Sequence, residues 1–324
     1  MTPAATQTTA HADAPSVRES RADGADGGEV FVLPGGYVDT HGAAHEEVEL
    51  VPLTGFDEEM LARARPNEVA ARLVTRLLAR CVRRVGTLEG ADAARAVADL
   101  CAGDRDFLVI KLREMTGGPK LAVVLRCPGE GCGRPMDLEL MLDEIEVERR
   151  PLRRRFFELE LSDEAAYRDA GGAVHKRAEF RLPTGADQEA LAALTRADLG
   201  LARRHLFARC LRRVGDFGEV DEGLVALLPE RALEEIEARM AELAPDLTLE
   251  LEAACPECGS RFETRLNLVE LLLGELRGGT RELEREVHFL AWHYHWSERD
   301  VLSMTRAKRR RYVALLNEEL ERLA

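Results

Sequence analysis

Four of the seven cysteines sit in two short knuckles and are the residues best placed to do chemistry. Cys127 and Cys132 enclose Pro-Gly-Glu-Gly, and Cys255 and Cys258 enclose Pro-Glu. A knuckle of this kind offers a metal two thiolates, whereas zinc takes four ligands in a tetrahedron, so neither pair is a site alone. Together they predict a closed four-thiolate zinc ribbon. Pro128, Gly129, Gly131 and Gly133 around the first pair, and Pro256 and Gly259 around the second, suit turns that wrap backbone around sulfur. A closed site leaves no position for water, so the expected cofactor is a structural zinc that holds the fold. The same residue pattern also fits a metal-free remnant of such a site or a redox dithiol. Cys81, Cys101 and Cys210 lie in helical or apolar contexts and read as small buried residues.

The two knuckles are far apart in sequence, so the elements around them must bring them together. LAVVLR enters the first knuckle and MDLELML leaves it; LTLELEAA enters the second and FETRLNLV leaves it. Alternation such as Leu247, Leu249 and Leu251 predicts hairpins with one buried face. An internal repeat supplies a means of pairing them. LLARCVRRVG (77–86) and LFARCLRRVG (206–215) share eight residues in ten at an offset of 129. Upstream, GAAHEEVELVPLTGFDEEMLA from Gly42 matches GAVHKRAEFRLPTGADQEALA from Gly172. A tandem duplication follows. If the copies pack about a pseudo-twofold axis, equivalent hairpin tips meet and the two cysteine pairs complete one site.

Within each copy the punctuation predicts a β-ribbon, then helices, then the knuckle hairpin, an α+β, helix-rich plan. VFVLPGGYVDTHGAAHEEVELVPL reads as an antiparallel ribbon, and FFELEL with AEFRL repeats it around Gly171-Gly172. DEEMLARA is helical after Thr54-Gly55, and Pro66 suits the first turn of the next helix. There Val69, Leu73, Leu77, Cys81 and Val85 recur every four residues, which predicts a helix continuing to a stop at Gly86. Asp104 is a candidate cap for a helix carrying Phe107, Leu108, Leu112 and Met115; its counterpart starts at Pro229. His45 and His175 occupy equivalent places and predict one structural hydrogen bond used twice. The divisions are 1–28, a disordered tail nearly devoid of large apolar residues; 29–150 and 151–275, the repeats; and 276–324, a helical segment without counterpart in them.

That last segment, TRELEREVHFLAWHYHW followed by a Ser297-capped helix, concentrates aromatic and basic residues. Trp292, Tyr294, Trp296, Arg309, Arg310 and Tyr312 are the candidate partner-binding residues, because aromatic and Arg side chains anchor interfaces. His288, His293 and His295 do not share one helical face and read as packing residues. The Arg runs at 149–157 and 306–311 read as a solvated linker and a charged helix face. Net charge is −14, which opposes binding to polyanions; a zinc-ribbon nucleic-acid binder is the alternative reading, and nucleic acid and membrane are not expected partners. No nucleophile elbow, phosphate loop or H-E-x-x-H motif is present, so no enzymatic activity is expected. Neither a secretion signal nor a membrane-length apolar run is seen, so the expected location is the cytoplasm.

The ribbon and entry VFVLPGGYVDTHGAAHEEVELVPLTGFDEEMLA, the segment GDRDFLVIKLREMTGG, the knuckles CPGEGCG and CPECG, and the ending EVHFLAWHYHWSERDVLSMTRAKRRRYVALL resemble the T4-type baseplate hub assembly chaperone family of contractile phage tails and bacterial contractile injection systems. The resemblance implies a non-enzymatic protein that helps baseplate or hub components assemble, with those components as its partners.

Overall fold

The computed structural model describes residues 27–65, 68–194, 198–247 and 249–323; the tail expected over 1–28 lies almost wholly outside them, as does Pro66. The chain is a mixed α+β protein with twelve α-helices and several small sheets among the described residues. β1 (Glu29–Val38) and β2 (Ala44–Leu50) form the expected antiparallel ribbon, followed by α1 (Gly55–Ala62) and α2 (Ala70–Cys81). β3 (Val82–Val85), β4 (Leu88–Glu89), α3 (Gly90–Asp99) and α4 (Ala102–Gly117) lead into the knuckle hairpin β5 (Lys120–Arg126) and β6 (Pro135–Met141). The next stretch holds β7 (Phe157–Glu160), β8 (Tyr167–Arg168), β9 (Val174–His175), β10 (Arg177–Phe180), α5 (Gly185–Leu191), α6 (Leu199–Cys210), β11 (Leu211–Val214), α7 (Glu222–Leu227) and α8 (Glu230–Leu243). The second knuckle hairpin, β12 (Leu249–Ala254) and β13 (Arg261–Leu266), precedes α9 (Leu268–Gly278), α10 (Thr280–Tyr294), α11 (Glu298–Leu302) and α12 (Arg306–Leu323).

The helix expected to run on to Val85 stops at Cys81. Val82–Val85 is instead a strand, paired antiparallel with β2 through Val48–Val85 and Leu50–Val82. The β-branched ends of VRRV turn inward while Arg83 and Arg84 face outward or half outward, and the open edge of β2 offers partners that a further helical turn would lack. LRRV at 211–214 makes the same switch against β10. Gly86 and Gly215 therefore end a strand, with φ of 56° at each. A Cβ at either would overlap the His45 or His175 ring packed above it. Those histidines are buried, stacked on Tyr37 and Tyr167, and bonded through Nε2 to Asp39 at 3.3 Å and Asp169 at 3.1 Å. Asp104, expected as a cap, is three residues inside α4, where its buried carboxylate accepts the Gly35 amide at 2.7 Å; Cys101 is the N-cap.

Two apolar cores result. Leu50, Leu77, Leu78, Phe107, Leu108 and Val123 belong to the first, which also takes in Leu268, Leu272 and Leu273 from α9, with Leu251 and Leu266 of the second knuckle hairpin packed against it. The second is built on Phe180, Phe207, Val214 and Ile236 and includes Cys101 from the earlier half. The side chain of Leu249 lies outside the described residues. Burying both hairpin bases in one core is what brings their tips side by side.

Candidate metal centre

At those tips Cys127, Cys132, Cys255 and Cys258 converge, their four sulfurs all within 4.8 Å of one another. Cys127 and Cys258 Sγ are 3.6 Å apart and Cys132 and Cys255 Sγ 3.8 Å apart, so each close contact joins one hairpin to the other. Four sulfurs bound tetrahedrally at about 2.3 Å would stand about 3.8 Å from each other. The separations are far longer than a disulfide, and all four cysteines are free thiols. The set could hold a metal ion.

Backbone geometry aims the sulfurs. In the first knuckle Cys127 N–H donates to Arg134 O at 3.0 Å and Cys132 N–H to Gly129 O at 3.0 Å; in the second, Cys255 N–H donates to Ser260 O at 2.9 Å and Gly259 N–H to Cys255 O at 2.9 Å. Gly129 N–H points at Cys127 Sγ from 3.3 Å. Amides directed at sulfur stabilise thiolate. The Cys258 and Glu257 amides, in that order, bring the Cys255 thiol down to about 7. At Cys127, by contrast, the Gly129 amide is outweighed by burial and the neighbouring thiols, which push it up to about 12, and Cys132 is raised as well. Cys127 and Cys255 are buried, Cys132 is half-buried and Cys258 is exposed, so the cluster lies at the surface with two sulfurs facing inward.

The remaining cysteines stay apart from this cluster. Cys81 and Cys210 are buried beside their helix-to-strand switches, and burial pushes Cys210 up to about 12. Cys101 Sγ donates to Asp104 Oδ2 at 3.0 Å.

The six residues expected to bind a partner divide into an outer and an inner group. Tyr294 stacks on Trp296 with centroids 4.6 Å apart, and the Tyr312 ring meets Trp296 edge-on at 4.9 Å, forming a half-buried aromatic cluster. Trp292 is 70% exposed, and Arg310 is exposed and paired with Glu282. Arg309 is fully buried, which differs from its expected outward position. Its Nη2 donates to Glu58 Oε1 at 2.7 Å, Nε to Glu286 Oε2 at 2.8 Å and Nη1 to Met304 O at 2.8 Å. Glu58 and Glu286 were not singled out in the sequence. The signal that could have found them is a charged helix residue flanked by Met304 and Val313, which calls for a buried counter-ion.

Fold and site thus define an α+β protein in which two distant hairpins share a four-cysteine cluster. The model of the T4 bacteriophage base plate protein family matches residues 39–272, well over half of the chain, and the chain belongs to that family. The matched span contains both knuckles and ends before α10. No curated protein and no solved structure matches the chain.

Proposed function

We propose that this chain is a non-enzymatic assembly factor, or a minor structural component, for the baseplate or hub of a contractile phage tail or a related injection particle. The family match over residues 39–272 carries the reading. Within it, the chain is a hub assembly chaperone acting in the cytoplasm of the producing cell, with baseplate or hub proteins as clients. Its body is a tandem duplication. The shared LxARCxRRVG phrase, the twin His–Asp clasps and the twin capping boxes Thr54–Asp57 and Thr184–Asp187 support that origin. The metal is a structural zinc, favoured by an all-thiol donor set near tetrahedral spacing. The exposed face around Trp292 and the Tyr294–Trp296–Tyr312 cluster contacts a client. The acidic balance works against the nucleic-acid alternative.

Deleting the gene in the producing strain should yield sheath and tube without completed baseplates by electron microscopy. Normal particles would contradict the proposal. Mass spectrometry of mature wild-type particles separates a departing chaperone from a retained component.

A further inference from the structure

Three times along the chain a helix is followed by a shorter one and then by a longer one: α2–α3–α4, with β3 and β4 after its first helix, α6–α7–α8, with β11 after its first, and α10–α11–α12. The third set lies in the segment that has no sequence counterpart in the repeats. At each junction between the short helix and the second long one stands an apolar residue followed by one more: Leu100–Cys101, Leu228–Pro229 and Met304–Thr305.

Two of these junctions are occupied, and in the same way. Gly185 N–H donates to Leu100 O at 3.1 Å while Thr184 bridges Cys101; Gly55 N–H donates to Met304 O at 3.1 Å while Thr54 bridges Thr305. Each donor is the Thr-Gly-x-Asp start of a capped helix. The helix then lies across the receiving set, α5 against α2, α3 and α4, and α1 against α10 and α11. Close approach fixes the glycines: a Cβ on Gly55 would stand 2.9 Å from the Leu302 Cα, and one on Gly185 would overlap the Arg105 guanidinium.

The third junction has no such occupant among the described residues. Among the described residues no bridge or backbone bond from another segment reaches Leu228–Pro229, and both Thr-Gly-x-Asp starts are engaged elsewhere. Pro229 lacks an N–H, but the occupied junctions receive their bond on the preceding carbonyl, so a proline leaves the acceptor in place. The surface beside it mixes exposed leucines with ion pairs that tie α6 to its neighbours, Arg203 to Glu230 and Glu237 of α8 and His205 to Glu222 of α7. Leu227 is 65% exposed and Leu199, at the start of α6, is 73% exposed. Leu206 is half-buried where its counterpart Leu77 is fully buried.

We propose that the α6–α7–α8 face is a docking site for a partner protein that presents an extended stretch running into a Ser/Thr-Gly-x-Asp-capped helix, seated as α5 is seated on α2–α4. The glycine amide bonds to the Leu228 carbonyl, and the helix covers Leu227 and Leu199. Arg204 stands where Thr75 donates to the Glu189 carboxylate, so the partner helix carries an acidic residue on that turn. A second copy of this chain does not fit the role, because its own capped starts are held inside it. The surface is set by the fold and does not depend on which particle the chain serves.

The probe is a fluorescein-labelled synthetic peptide of residues 177–194, this chain's own capped start, titrated with the full-length protein and read by anisotropy. Saturable binding is expected. It should weaken at least tenfold with Leu227→Asp, whose circular dichroism and melting temperature should match the unsubstituted protein. It should weaken similarly when the peptide carries Gly185→Pro, which removes the donor amide. Hydrogen-exchange protection should appear at 224–233. No saturation up to millimolar concentration, binding indifferent to both substitutions, protection at α2–α4 or α10–α12 instead, or a dimer of the protein burying Leu227 would each overturn the proposal. Gene deletion tests the baseplate reading independently, so the two can fail separately.

Discussion

The two occupied helical junctions share a backbone bond of 3.1 Å and a buried arginine five residues after the accepting carbonyl, Arg105 in one and Arg309 in the other. Their chemistry differs. Arg309 meets two carboxylates, Glu58 and Glu286, with the Met304 carbonyl as third acceptor. Arg105 meets only neutral acceptors: Val97 O, Ala71 O and Thr75 Oγ1, each at 2.9 Å, with Nε left without a partner. Burial accordingly pushes Arg105 down from its ordinary value. The common element is therefore the glycine amide on a carbonyl. The arginine is a filler whose removal costs according to what it leaves behind.

That contrast is broken most directly by Arg309→Met. It takes the buried cation from Glu58, which keeps Arg306 at 2.8 Å, and from half-buried Glu286, which keeps Arg310 at 3.8 Å, so the loss should be about 3 kcal/mol. A Tm drop of roughly 5 °C by calorimetry would follow. Adding Glu58→Gln should restore part of it, and additive losses would contradict a shared ion cluster. Arg105→Met should cost less, about 1–2 kcal/mol in a urea titration, because only neutral acceptors lose a partner. Equal losses at the two positions would erase the distinction.

Acid titration sharpens the comparison at the capped starts themselves. Asp187 is buried, which alone would raise it, yet Arg181, the Thr184 amide and Arg209 outweigh that and bring it down to about 2. A carboxylate lowered by folding adds stability that is present above its unfolded value near 4 and is lost as pH falls through about 2. The amount is roughly 2 kcal/mol. Asp187→Asn should flatten that part of the stability curve between about pH 4 and pH 2, and an unchanged slope would contradict the assignment. The smallest effect on folding belongs to Trp292→Ala, within about 0.5 kcal/mol because the ring is exposed. Its expected consequence is reduced co-purification of a baseplate client at unchanged Tm. Removing 281–324 altogether would not isolate this effect, since Leu302 and Arg309 cover Gly55 and Glu58.

Much of the site was legible because cysteine, proline and glycine announce a knuckle from local sequence. The pairing of the knuckles could be anticipated from the similar phrases at 77–86 and 206–215, which share eight residues in ten. Val82–Val85 misled because a four-residue apolar period fits a helix until the open edge of β2 supplies a competing set of bonds. Arg309 misled for a related reason: its counter-ion Glu58 lies 251 residues away. The third helical set left almost no trace in the sequence. A backbone junction constrains a carbonyl, an apolar residue and little else, so Met304–Thr305 and Leu100–Cys101 need not look alike.

The most direct test of the metal assignment is sulfur-edge and zinc-edge X-ray absorption, with elemental analysis, on protein purified without added metal. One zinc per chain, surrounded by four sulfurs at about 2.3 Å, is the expected result, lost on Cys255→Ser together with the folded second hairpin. Substoichiometric metal, or a shell containing water oxygen, would contradict a closed thiolate staple between the two hairpins.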